Sequence, residues 1–433
     1  MLIFVQIAAY RDSLLGSTLR DLLEKAGNPE NLRVTICHQY HPDDAFNAEL
    51  DVYRDDDRFN IIDMLYHESR GLCWARNLIQ QHYKGEAYTL QVDSHMRFIQ
   101  NWDTVLINML VSLQERGYPK PVLTTYPPHF EPTAFEYREV PPNQIVLREF
   151  DKHGVYPIGW PAEIPGWEAL TAPVPARFLA GGFAFSIGAF CQDVQDDPHL
   201  YFMGEEINIA LRAYTHGYDL FHPHINITWH YYSRRESPKH WEDHAAIEAV
   251  ELLAMDRLRR FFESGEKTSG YDWGIYGLGK ERTLRDYEEF AGILLCQKKA
   301  QPYTLKHLPP PNPRIYPTEQ EWLDSFCCCV NNVLHIPHSV FVKDDYDQAV
   351  IAFAADKRIV HELELDAAGV AAMIQRQFDS YTLEVGFSCS HLPDSWILSL
   401  HSASSGWEKK IRGRMPYFVA GLGNFSIKKC QVL

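Results

Sequence analysis

The sequence predicts an α/β chain with a largely parallel sheet, followed by a smaller β-rich part. Three observations predict it. Strand-like apolar runs alternate with amphipathic helical runs from residue 2 to residue 115. A proline-rich segment, HLPPPNPRIYPTE at 307–319, has the composition of a semi-rigid linker. Beyond it, apolar and polar residues alternate between turn signals.

LIFVQIAAY reads as the first strand, and STLRDLLEKA as an amphipathic helix with Ser17 or Thr18 near its cap. NLRVTICHQ is strand-like. GLCWARNLIQQHY is helical, with Leu72, Ala75, Leu78, Ile79 and His82 on one face. AYTLQVDSH is the third strand and WDTVLINMLVSLQE the third helix. Residues 120–178, rich in Pro, Glu and aromatics, read as long loops with short strands. FLAGGFAFSIGAF then carries Gly181 and Gly182, where backbone can approach a ligand closely. FMGEEINIALRAYTHGYDLFHP is a helix opening at Gly204 and stopping at Gly217, with Ile207, Ala210, Leu211 and Tyr214 on one face. A His-rich strand, NITWHYYSRR, follows, then a helix to about Arg260. This organisation divides the chain into 1–300, a linker at 301–319 and a β-rich part at 320–433.

Composition narrows the function. With 433 residues, 45% hydrophobic and 23% charged, the chain is globular and long enough for two domains. A formal net charge of −16 argues against nucleic acid or an anionic membrane as partner. An anionic small substrate would need local cations. The nine cysteines include Cys327, Cys328 and Cys329 but no C-x-x-C pair, so neither a zinc ribbon nor a disulfide framework is expected. MLIFVQIAAYRDS lacks a signal-peptide layout, and no apolar run reaches membrane length. The expected setting is therefore cytoplasmic, with no membrane span.

Parallel sheets gather ligands at the carboxyl ends of their strands, where the triplet Asp93-Ser94-His95 stands. Asp93 and His95 project to the same side of an extended chain and offer one oxygen and one nitrogen to a divalent cation such as Mn²⁺. The alternative is a turn-capping Asp93 beside a surface His95. His230 is the choice for a third ligand, with His222, His224, His240 and His244 as competitors. Arg70 and Arg76, around Gly71, suit a pyrophosphate, though Arg76 reads equally as a salt-bridged helix residue. Glu205 and Glu206 open a helix, where they either complement its dipole, bind a sugar or acceptor hydroxyl, or orient a general base. Trp102 and Asp103 either line a sugar pocket or pack and start a helix. No G-x-x-x-x-G-K-[ST], G-x-S-x-G or H-E-x-x-H occurs.

Taken together, IFVQIAAYRD, SRGLCWARN, VDSHMRFIQNWD, the Gly-Gly strand, GEEINIALRAYTHGYDLFHP, WHYYSRR and YGLGKERTLRDYEEFAGI resemble a GT-A glycosyltransferase over residues 2–295. More narrowly, the chain resembles glycosyltransferase family 60, the cytoplasmic polypeptide-hydroxyproline N-acetylglucosaminyltransferases and their bacterial relatives. Its D-x-H form is similar to that of the mucin-type polypeptide GalNAc-transferases. The resemblance implies a Rossmann-like GT-A catalytic domain and a metal set of Asp93, His95 and His230 holding Mn²⁺, Mg²⁺ or a similar ion. It implies a donor site drawn from Ala8, Tyr10, Arg11, Arg70, Gly71, Arg76, Trp102, Gly181 and Gly182. Catalytic roles fall to Asp93, Glu205 and Glu206. The implied reaction is retaining transfer of GlcNAc from UDP-GlcNAc to a protein hydroxyl (hydroxyproline, Ser or Thr) or a glycan. Two other readings use the same features: a UDP-sugar hydrolase or nucleotidyltransferase, and a non-catalytic carbohydrate-binding protein.

Overall fold

The computed structural model describes residues 1–133, 139–150, 156–234, 237–244, 247–263, 272–375, 380–408 and 410–415. The chain forms two compact units. The first is Met1–Leu147 with Gly159–Ala291 and His307–Pro313; the second is Arg148–Ile158 with Gly292–Lys306 and Arg314–Leu433.

The first unit is the expected α/β arrangement. Its elements begin with Ile3–Tyr10 (β1), Leu15–Lys25 (α1), Leu32–Tyr40 (β2) and Phe59–Leu65 (β3). Leu72–Gln80 (α2), Tyr88–Asp93 (β4), Met96–Phe98 (β5), Trp102–Glu115 (α3) and Pro121–Thr124 (β6) follow. Further on come Phe183–Ile187 (β7), Glu205–Thr215 (α4), Asp219–His222 (β8) and Thr228–His230 (β9). The main sheet has the order β3-β2-β1-β4-β7-β6-β8, with Val174–Pro175 at the far edge. Strands β1, β2, β3 and β4 run parallel, as do β6 and β8. Strand β7 runs against both its neighbours.

Alternate side chains of the central strands feed two cores. Val5, Ile7, Val34, Ile36, Leu90 and Val92 pack with Leu19 and Leu22 of α1 and Leu106 and Leu110 of α3. Phe4 and Cys37 face the other way, against Ala75 and Ile79 of α2. Burying one such large aliphatic side chain stabilises the fold by about 1.5–3 kcal/mol. Helix α1 starts earlier than its expected cap. Leu14 is the N-cap, and Thr18 lies inside the helix with its hydroxyl donated to the Ser94 carbonyl, 2.9 Å away.

The strand order positions the site. From β1 the chain builds outward through β2 and β3, then returns to place β4 on the opposite side of β1. The carboxyl ends of β1 and β4 flank this reversal, the place where open α/β sheets leave a crevice. Ala8 and Asp93 are register partners there.

The second unit is β-rich, as its alternating sequence predicts. Cys327–Pro337 pairs with Ser380–Cys389 on one side and Lys299–Ala300 on the other. A second sheet centres on Tyr346–Ala355 between Arg358–Asp366 and Ser395–Ser402. Val330, Leu334, Ile351, Phe353, Trp396 and Leu398 form its core.

Candidate metal and donor site

Strand β4 is buried until Asp93, where the chain leaves the sheet, turns through Ser94 and His95, and starts the short strand β5. Strand β9 pairs antiparallel with β5, setting His230 opposite Met96 and therefore beside His95. The amide of Tyr231 donates to the His95 carbonyl at 3.2 Å, closing this ribbon. Residues 137 positions apart thus meet, with His230 Nε2 lying 3.0 Å from Asp93 Oδ2. The two imidazoles stand edge to face with centroids 4.5 Å apart.

One ligand atom each from Asp93, His95 and His230 fits within a mutual spacing of 4.8 Å, and no other His, Cys, Asp or Glu group among the described residues does so. Donors at roughly 2.0–2.2 Å from a shared ion lie up to about 4.4 Å apart, so small movements suffice to close this set on a cation. The donor chemistry, two imidazoles and a carboxylate, suits Mn²⁺ and related divalent ions. His95 Nδ1 is taken by Asp12 Oδ2 at 2.7 Å, which leaves Nε2 as its free ligand atom. The residues present therefore fit such an ion.

Gly181 and Gly182 run directly beside this group. A Cβ on Gly182 would lie 2.8 Å from Asp93 Oδ2, and one on Gly181 would lie 2.7 Å from Arg76 Nη1. The Gly181 carbonyl accepts from Arg76 Nη2 at 2.8 Å and from Gln91 Nε2 at 2.9 Å, while its N–H donates to Glu206 Oε1 at 2.8 Å. Arg76 is 3% exposed and pairs with Asp93 at 3.4 Å and Glu205 at 3.7 Å. Tyr126 donates its hydroxyl to Glu206 Oε2.

Burial alone would raise the Asp93 carboxyl, but the His230 hydrogen bond and the charge of Arg76 hold it far below the usual range. Burial likewise opposes ionisation of Asp12, and His95, Arg234 and Ser94 outweigh it, holding that carboxyl down to about 2. Burial lowers His95 in spite of Asp12, so its imidazole is neutral and able to ligate. Glu205 and Glu206 are both pushed up by burial. Glu206 accepts from Tyr126 and Gly181, which offset part of its burial, whereas Glu205 feels the charge of Glu206, offset in part by Arg76. Of the two carboxyls, Glu205 is raised the further.

A family model described as "Glycosyltransferase (GlcNAc)" matches residues 2–58 and 47–296 of the chain. The chain belongs to this glycosyltransferase family. No curated protein matches it in sequence. Among solved structures, it is similar to GalNAc-T7 with UDP, GalNAc and Mn²⁺, at 15% identity, 66% of this chain, 54% of that chain and a TM-score of 0.47. It is also similar to Staphylococcus aureus TarS 1–349 with UDP-GlcNAc, at 12% identity, 60% and 70% coverage and a TM-score of 0.36. A third is the mannosyltransferase PcManGT from Pyrobaculum calidifontis with GDP-Man and Mn²⁺, at 13%, 51% and 54%, and 0.31. The chain spans about half the length of the first of these, 54%.

The other residues expected at the donor site are dispersed. Ala8 adjoins Asp93 across the β1–β4 pairing. Tyr10 gives its hydroxyl to Asp243 at 2.7 Å, and Arg11 pairs with Asp44 at 3.0 Å and Asp243 at 3.1 Å. Arg70 is exposed beside the Trp74 ring. Gly71 opens α2 at φ 107°, where a Cβ would strike the Tyr201 ring. Trp102 is a correction: it is fully buried, donates Nε1–H to the Leu22 carbonyl at 2.9 Å and packs on Phe98. Its neighbour Asp103 accepts the Gly27 and Asn28 amides. These two residues lock α3 to the end of α1. Of the histidines considered as third ligands, His222 binds the Thr124 carbonyl and Ile145 amide, His240 binds Ser69 and Tyr201, and His244 binds the Tyr66 carbonyl.

Asp12, Thr18 and Tyr126 escape the sequence reading. Asp12 had a signal, since it follows the first strand directly and shares the carboxyl edge with Asp93. Thr18 and Tyr126 had none, because each acts through a partner more than 70 residues away.

Proposed function

We propose that the chain is a metal-dependent retaining glycosyltransferase that moves GlcNAc from UDP-GlcNAc to a hydroxyl of a protein (hydroxyproline, Ser or Thr) or a glycan. We place it in the cytoplasm; no described helix is long and apolar enough to cross a membrane. The observation that carries the reading is the convergence of Asp93, His95 and His230 beside the β1–β4 reversal, in a chain of a glycosyltransferase family. The alternatives of hydrolysis and of mere carbohydrate binding share the site and are separated by the test below.

Asp93, His95 and His230 would hold a divalent cation, which when bound would supply Lewis-acid stabilisation of charge developing on a diphosphate leaving group. The protein's own part is arrangement. Asp93 stays ionised and His95 neutral, the states that ligation needs. The missing side chains of Gly181 and Gly182 leave the room that Arg76 and Asp93 occupy beside the metal set. Glu205, at the start of α4, is the carboxyl offered to a sugar or acceptor hydroxyl, while Glu206 holds the Gly181 amide. The net charge of −16 requires such local devices for binding an anionic donor.

The test is a UDP-release screen over sugar donors, with and without Mn²⁺, followed by mass analysis of acceptors. The expected result is acceptor-stimulated turnover of UDP-GlcNAc that EDTA abolishes and Mn²⁺ restores. In Asp93→Ala, turnover should fall by roughly a hundredfold or more. Full activity in EDTA or in that variant overturns the metal assignment. Cleavage by water that no acceptor stimulates favours a hydrolase, and donor binding without turnover favours a binding protein.

A further inference from the structure

We propose that Asp12 and Thr18, which flank the start of α1, are positioning residues that hold His95 in the one orientation and tautomer able to bind a divalent cation. The inference rests on the metal reading of the preceding section and assigns roles to residues outside the Asp93, His95 and His230 set.

Asp12 is 4% exposed and uses both carboxylate oxygens. Oδ1 accepts the Leu14 amide at 3.0 Å, an arrangement that starts a helix and needs nothing more. Oδ2 does something else. It meets His95 Nδ1 at 2.7 Å and the Ser94 hydroxyl at 2.7 Å, and the Arg234 guanidinium at 3.3 Å. A carboxylate can only accept, so His95 carries its proton on Nδ1, and the lone pair on Nε2 is left for a ligand. Carboxylates behind metal-binding imidazoles fix ring orientation and raise ligand basicity in this way.

Thr18 fixes the backbone of the same residue from both sides. Its hydroxyl donates to the Ser94 carbonyl at 2.9 Å and accepts the Met96 amide at 3.0 Å, and the side chain is fully buried. The segment that leads into α1 and its first turn therefore grip His95 by its ring and by the peptide units before and after it. A helix cap alone would account for the Leu14 contact; it would not account for the other contacts of Asp12 or for either contact of Thr18.

The substitution Asp12→Asn separates the two roles. An amide has one accepting oxygen, so it can serve the Leu14 amide or the His95 and Ser94 donors, but not both sets. Mn²⁺ binding is measured by loss of the free-ion electron paramagnetic resonance signal, without donor or acceptor. The comparison is of the full-length chain, Asp12→Asn and Thr18→Val, each checked by circular dichroism. Nitrogen-15 spectra of the imidazoles report the His95 tautomer. The expected result is wild-type binding of Mn²⁺ with the Nδ1–H tautomer at His95. Asp12→Asn should bind about 10–100-fold more weakly and lose the defined tautomer. Thr18→Val should also bind more weakly, and it decides the matter if Asp12→Asn does not fold. Equal Mn²⁺ affinity in the folded variants and the wild type overturns the positioning roles and leaves the metal site standing. Absence of Mn²⁺ binding by the wild-type chain overturns the metal reading itself, and this inference with it.

Discussion

On Gly182, a single added methyl would come within 2.8 Å of Asp93 Oδ2. Inserting a carbon into so tight a space costs about 1–3 kcal/mol, relieved here by pushing the carboxylate aside. Gly182→Ala should therefore fold with a lower Tm and bind Mn²⁺ more weakly, read by calorimetry; unchanged affinity would show that the carboxylate has room to give. His222 makes a prediction about pH. Buried between the Thr124 carbonyl and the Ile145 amide, it must donate from Nδ1 and accept at Nε2, so only the neutral ring fits. Burial lowers its pKa from 6.5 to about 4. Between those values the unfolded chain binds the extra proton and the folded chain does not, so stability falls as pH falls through the window and levels off below it. The full loss is about 3 kcal/mol. Urea midpoints from pH 7 to pH 4 should show it, and His222→Gln should flatten the slope; an unaltered slope would assign the acid sensitivity elsewhere. Single residues were legible in sequence where position and chemistry coincided, as at Asp93 and His95 on a strand end. Trp102 was not, because an aromatic at a helix start looks the same whether it faces a sugar or a core.

Helix α2 joins the sheet to the site through Arg76, whose charge lies between Asp93, Glu205 and the Gly181 carbonyl. Removing a buried ion while its partners stay buried costs about 3–5 kcal/mol. Arg76→Ala should lose stability of that order in urea titration. Retained stability with a raised KM for the donor would instead make it a nucleotide contact, the other role its sequence allowed. The helices and parallel strands were readable because their periodicities are local properties of the chain. The meeting of β9 with β5 was not, since it joins residues 137 positions apart and depends on the sheet having formed. Helix α1 shows the same limit in miniature. Thr18 has the chemistry of a cap, but its hydroxyl is committed to the chain around His95.

At the scale of the whole molecule, the β-rich character of the later residues followed from alternation, yet composition alone does not reveal that the second unit also gathers Arg148–Ile158 and Gly292–Lys306. Strand pairing decides it for Lys299–Ala300, which joins Cys327–Pro337. Cutting the chain after Glu319 would remove Cys327–Pro337 and leave Lys299–Ala300 without its partner on that side. Unpaired strand edges promote association. The shortened chain should elute as larger particles in size-exclusion chromatography; a stable soluble monomer would show that the first unit tolerates the loss. The same gathering of segments has a consequence during synthesis. A ribosome that has just made Ile158 must proceed to Arg314 before the bulk of the second unit begins to emerge. At about 5–20 residues per second, that is a delay of roughly 8–30 s. Arg148–Ile158 waits through that interval for the rest of its unit to be made.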